Sequence, residues 1–147
     1  MMEVVLVRHI AARPSIVFDA LTTCEGMTSW WGPEDTPVTS AVADVRPGGA
    51  FRVTFPCFDE LEHVVTGEFV EVVKPTRVVL SWRWAQRGEP EEQGATSRVE
   101  FRLRPTETGT ELTLIHSGLR NDASARSHER GWTAALTKLV RLFAEQT

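Results

Sequence analysis

Residues 99–145 read VEFRLRPTETGTELTLIHSGLRNDASARSHERGWTAALTKLVRLFAE, and the period of the apolar positions changes once along the way. Val99, Phe101 and Leu103 alternate with Glu100, Arg102 and Arg104. After a turn at Thr106 to Gly109, Leu112, Leu114 and His116 alternate with Thr113, Ile115 and Ser117. A period of two marks strands with one face buried. Past Asn121 or Asp122, either of which can cap a helix, the period becomes helical. Trp132, Leu136, Leu139, Val140 and Phe143 fall on one face of a helix running to about Glu145. A long amphipathic helix must bury its stripe and half-buried strands must bury one face each. One curved sheet closed around one helix satisfies both.

The residues upstream supply the rest of that sheet. Val4 to Ile10 is β-branched and apolar and reads as a first strand. Pro14 opens a short helix with Val17, Phe18 and Leu21 on its apolar face. Thr22 and Glu25 have capping-box spacing, which predicts a second short helix to about Trp30, ended by Gly32-Pro33. Val38 to Val45 is a second strand, and Pro47-Gly48-Gly49 a structural turn. Phe51, Val53 and Phe55 alternate on a third. Glu62 to Val73 is a long fourth strand, with Gly67 as its expected bend. Val78, Leu80, Trp82 and Trp84 alternate on a fifth, and Gln86 to Gly94 is a polar hairpin loop. Short turns between consecutive strands predict an antiparallel meander. The fold class is therefore α+β, with about seven strands, two short helices and one long C-terminal helix.

The chain has 147 residues, enough for one domain with a substantial core and too few for two, so 1–147 reads as a single domain. Its net charge is −4, with both signs scattered, which argues against a nucleic-acid partner needing a concentrated basic face. No stretch approaches the roughly 20 apolar residues of a membrane span. Met1 to Ile10 carries Glu3 and lacks the layout of a secretory signal. Two unpatterned cysteines, Cys24 and Cys57, fit a reducing cytoplasm, with Cys24 expected as a buried thiol. Neither these nor the four histidines have zinc-type spacing. Gly48-Gly49 lies between strands, so it is no phosphate cradle, and no nucleophile elbow is present. No cofactor or metal is implied.

Several pieces, in order, resemble the START-like (SRPBCC, helix-grip) superfamily, in the branch named after the C-terminal domain of the activator of Hsp90 ATPase. They are Ala12-Arg13-Pro14 leading into Val17-Phe18-Asp19-Ala20-Leu21-Thr22, then Trp30-Trp31, Arg46-Pro47-Gly48-Gly49 with Phe51, and Gly67 through Pro75. Val79-Leu80-Ser81-Trp82, Gly109 through Thr113, His116-Ser117-Gly118 and Gly131-Trp132 follow. The resemblance covers essentially the whole chain. It implies the helix-grip fold and often an apolar cavity between sheet and helix, in a superfamily that includes lipid and hormone binders and polyketide cyclases.

Tyr is absent while Trp occurs five times, so the aromatic mass sits in side chains suited to apolar burial. The strand phases place Phe51, Phe55, Trp82, Trp84, Phe101 and His116 on the concave side, faced by Trp132 and closed by Trp30 and Trp31. With His63, these are the candidate ligand-binding residues: Trp30, Trp31, Phe51, Phe55, His63, Trp82, Phe101, His116 and Trp132. Trp bodies line walls while their N–H groups seek partners, which predicts a pocket for a small apolar or amphipathic molecule. A cyclase or hydrolase would use His116 or His63 as acid–base. Glu62 is adjacent to His63 but points to the opposite face of its strand, so the two do not act as a pair. No catalytic residue is assigned. A protein partner (a chaperone or regulator) and a homodimer stay open. Asp59, Glu60 and Glu62 read as solvated surface, and Arg83 as an exposed strand residue.

Overall fold

A computed structural model of the chain describes residues 2–31, 38–56, 62–86 and 96–144. The elements are β1 (Met2–Ile10), α1 (Pro14–Thr22), α2 (Cys24–Trp30), β2 (Ser40–Ala43), β3 (Ala50–Pro56), β4 (Glu62–Val73), β5 (Arg77–Gln86), β6 (Ser97–Thr106), β7 (Gly109–Leu119) and α3 (Asp122–Ala144). The seven strands among the described residues form one antiparallel sheet in the order β1-β7-β6-β5-β4-β3-β2. Strands β2 to β7 follow the meander expected from their short turns. β1 joins the far edge beside β7, with Val5 opposite Ile115 and Ile10 opposite Thr110. The sheet curves round α3, whose stripe His128, Trp132, Ala135, Leu136, Leu139 and Phe143 is buried, and the fold is the helix-grip α+β architecture. Gly32-Pro33, Cys57, Asp59, Glu60 and the loop from 87 to 94 lie outside the described residues.

Local chemistry accounts for the helix starts. Pro14 occupies the first turn of α1, where no N–H is needed. The cap of α2 is Thr23, not Thr22. The Thr23 hydroxyl accepts the Gly26 N–H at 2.9 Å and donates to the Asp19 carbonyl at 2.8 Å. Thr22 stays inside the last turn of α1 and donates back to the Phe18 carbonyl at 2.8 Å, which removes it from capping. Cys24, expected to be buried, is exposed. The buried face of α2 is carried by Met27 and Trp30, and Cys24 stands at the open first turn.

Two features of the sheet depart from simple alternation. The ladder between β4 and β5 shifts register on both sides of Gly67, at Val64/Val65 and at Phe69/Glu71. A Cβ on Gly67 would lie 2.0 Å from the Ser81 carbonyl oxygen and 2.8 Å from the Phe51 ring. The residue lets three strands crowd together where the sheet bends. Glu100, on the convex phase of β6, is buried rather than exposed. Arg77 and Arg102 bind its carboxylate through Nε at 2.9 and 2.5 Å, and Arg98 adds a contact at 3.2 Å. Their aliphatic stems cover the group that their charges neutralise. Burial pulls the Glu100 carboxyl up, but the hydrogen bonds from Arg102 and Arg77 outweigh it and hold the group below the usual range.

Candidate functional site

The concave phases of β3, β5, β6 and β7 meet the α3 stripe at one aromatic cluster. Trp31 leaves α2 and stacks on Trp82 of β5, with centroids 5.6 Å apart and planes at 21°. Trp31 also meets Phe51 of β3 edge-on at 5.9 Å. Trp132 of α3 packs against Trp82 at 5.2 Å and Phe101 at 5.9 Å, while Trp30 joins Phe101 and Trp132 at 6.1 and 6.2 Å. Phe55, His63 and Trp84 form a second group, with Phe55 stacked on His63 at 6.2 Å. Trp84 touches Trp82 at 5.6 Å and so links the two groups. All nine residues expected at the site thus lie in one connected cluster. Two anchors fix it. The Trp30 indole donates to the Ala20 carbonyl at 2.8 Å, tying α2 to α1, and Lys138 donates to the Trp31 carbonyl at 3.0 Å, tying α2 to α3.

Among the described residues, open space lies at the end of the cluster where β5, β7 and the start of α3 converge. There Trp82, Trp84, Ser97, Arg120, Ser124 and His128 line a cleft of about 20 Å³, room for about one water molecule. Its shape depends on a bulge. Val4 pairs with His116 but Met2 pairs with Leu119, so β7 carries one extra residue there. Gly118 occupies it at φ +78°, a left-handed conformation that costs glycine least. The extra residue lets both His116 and Leu119 be buried, and it delivers Arg120 to the cleft.

His116 is fully buried, and both ring nitrogens are engaged. Trp132 Nε1–H donates to His116 Nδ1 at 3.0 Å. Because an indole nitrogen can only donate, Nδ1 carries a lone pair and the proton sits on Nε2, which donates to Ser97 Oγ at 2.7 Å. The ring is therefore neutral. Burial is the main cause, with the neighbouring His128 adding to it, and together they hold His116 well below the usual histidine range. The two imidazoles meet at 4.4 Å. Among the described residues no group of three His, Cys, Asp or Glu could hold a metal ion, and no helix is long and apolar enough to cross a membrane.

Sequence reasoning set His128 aside because it lacks metal-ligand spacing. A signal existed: His128 precedes Trp132 by four residues and so extends the α3 stripe by one turn. Ser97 and Arg120 had no comparable signal, since their placement follows from the β6–β7 register and from the bulge.

The indole N–H groups divide into two sets. Those of Trp30 and Trp132 have acceptors, whereas those of Trp31, Trp82 and Trp84 are buried with no hydrogen-bond partner among the described residues. Buried donors are nearly always paired, so three together are an unusual property of this face.

Solved structures similar to the chain share its architecture over nearly its whole length. A Chromobacterium violaceum protein superposes with a TM-score of 0.84 at 24% identity, covering 96% of each chain. A Silicibacter pomeroyi protein carrying the AHSA1 designation gives 0.84 at 28% identity, over 99% of this chain and 100% of that one. An AHSA1-like protein from Aeromonas hydrophila gives 0.74 at 20% identity, over 95% and 90%. No functionally curated protein matches the chain. The sequence profile of the "activator of Hsp90 ATPase homolog 1-like protein" family matches residues 11–144. With nearly the whole chain covered by that profile, and with the helix-grip sheet and long C-terminal helix in place, the chain belongs to the activator of Hsp90 ATPase homolog 1-like family, within the START-like superfamily.

Proposed function

We propose that this chain is a small-molecule binding module whose ligand enters at the Trp82–Trp84–His128 end and lies against the aromatic wall between sheet and α3. The observation that carries this reading is the cleft at the end of the connected aromatic cluster. Its walls are apolar rings with a few polar tips, the composition typical of ligand sites. Trp82 lines the cleft directly, and Trp30, Trp31, Phe51, Phe55, His63, Phe101, His116 and Trp132 continue from it through the connected cluster as the wall that a ligand would reach. As it stands the cleft admits one small group, so the ligand body lies across the mouth or displaces the half-buried Trp84 ring. An exposed free thiol at Cys24 accords with a reducing, cytoplasmic setting.

Acid–base catalysis is the second reading, favoured by the His116–His128 contact at 4.4 Å. Binding ranks above it because His116 is sealed behind Trp82 and Trp132 with both nitrogens committed. A protein-interaction role like that of the Hsp90 activators is supported by the family name alone.

Titration with Nile red tests the binding reading. The expected result is saturable fluorescence enhancement at one site, weakened about tenfold or more in Trp84→Ala, since a truncated aromatic anchor typically removes that much affinity. Failure of the dye to bind, or equal binding to the folded Trp84→Ala variant, removes the cleft from consideration.

A further inference from the structure

We propose that the cleft receives the head group of a small apolar acid, a carboxylate carried on an alkyl or aryl body. This rests on the binding reading above and specifies its ligand.

The cleft is mostly apolar, with two shielded indole donors in its walls and a cation at its mouth. Trp82 is 6% exposed and Trp84 half-buried; both line the cleft, and both have buried Nε1–H groups with no partner among the described residues. An indole N–H can be satisfied only by an acceptor. Arg120 stands exposed at the mouth, and no ion pair among the described residues involves it. The cleft also abuts the first turn of α3, where Ser124 is fully buried and its N–H is taken by the Asn121 cap at 2.9 Å. The positive end of the α3 dipole therefore faces the same space. Asp122, the acidic residue of that turn, is exposed and outside the lining.

Charge and size narrow the class further. One guanidinium and two N–H donors match the two oxygens of a carboxylate, where a phosphate dianion calls for more positive charge. Space for about one small polar group fits a head group and no ring. The apolar body then rests on Trp84 and Leu119 at the mouth. A neutral alcohol could accept from the indoles through its two lone pairs but has no charge to pair with Arg120.

The test compares phenylbutyrate with phenylbutanol, which share a body and differ in the head group. Binding is followed by two-dimensional NMR of the indole N–H signals, assigned through Trp82→Phe and Trp84→Phe. Phenylbutyrate is expected to shift those two signals saturably and to bind roughly tenfold more tightly than the alcohol. Arg120→Gln, an exposed change that leaves the core intact, is expected to erase that preference while leaving alcohol affinity unchanged. If acid and alcohol bind equally in wild type, the acid proposal is overturned and the binding module survives. If neither perturbs any indole signal up to its solubility limit, both fall.

Discussion

Because the folded chain keeps His116 neutral while the unfolded chain exposes an ordinary imidazole, protonation favours unfolding. The unfolded state takes up its proton near pH 6.5, and the folded state resists until well below that. The stability tied to this residue is therefore complete above about pH 6.5 and is lost progressively as the pH falls. The loss has an upper slope of about 1.4 kcal/mol per pH unit. Urea melts at several pH values between 7.5 and 5 should show wild type weakening faster than His116→Gln, whose amide can accept from Trp132 without titrating. Equal slopes in the two proteins would mean that His116 is charged in the fold. The sequence identified His116 as inward-facing from its phase with Leu112 and Leu114. It did not disclose the tautomer, which depends on Trp132 and Ser97 arriving from two other elements. His128 was harder still, because polar neighbours interrupt the stripe at the start of α3.

β6 illustrates why alternation predicts a strand better than it predicts exposure. Its inward set, Val99, Phe101 and Leu103, is buried as the pattern requires. Its outward set includes one carboxylate closed over by arginines, two from its own strand and Arg77 from β5. Periodicity describes one strand, and the cover over Glu100 comes partly from its neighbour. Element order, the PGG turn and the α3 stripe were legible because each is written locally. The Gly118 bulge was not, since an added residue shows only against its partner β1. Glu100→Gln keeps the shape but replaces a charge-assisted network with neutral contacts. It should cost about 1–3 kcal/mol in denaturant melts at pH 7. The stability that Glu100 gains from its lowered pKa holds above the unfolded carboxyl value of about 4.3 and is lost as the pH falls below it. This loss begins at a lower pH than that tied to His116. A loss under about 0.5 kcal/mol would show that the arginines cover Glu100 without stabilising it.

Across the whole molecule, the aromatic cluster is where separate parts of the chain are tied together. α2 and its following residue, five strands and α3 each contribute a ring, and these rings meet across distant parts of the sequence. Loss of any one of these elements should therefore disturb the others, which favours all-or-none unfolding. The stacked pair Trp31 and Trp82, 5.6 Å apart and 21° from parallel, also has an optical effect. Two identical chromophores held that close in a fixed chiral arrangement share their excited states and split them. The far-ultraviolet circular dichroism should contain an exciton couplet superimposed on the backbone signal, and Trp31→Phe should reduce it to the contribution of Trp82 with Trp84 and Trp132 while the helix and strand bands persist. Followed during a thermal melt, the couplet reports the mutual packing of α2, β5 and α3, so its midpoint should coincide with that of the backbone signal if the grip opens in a single step.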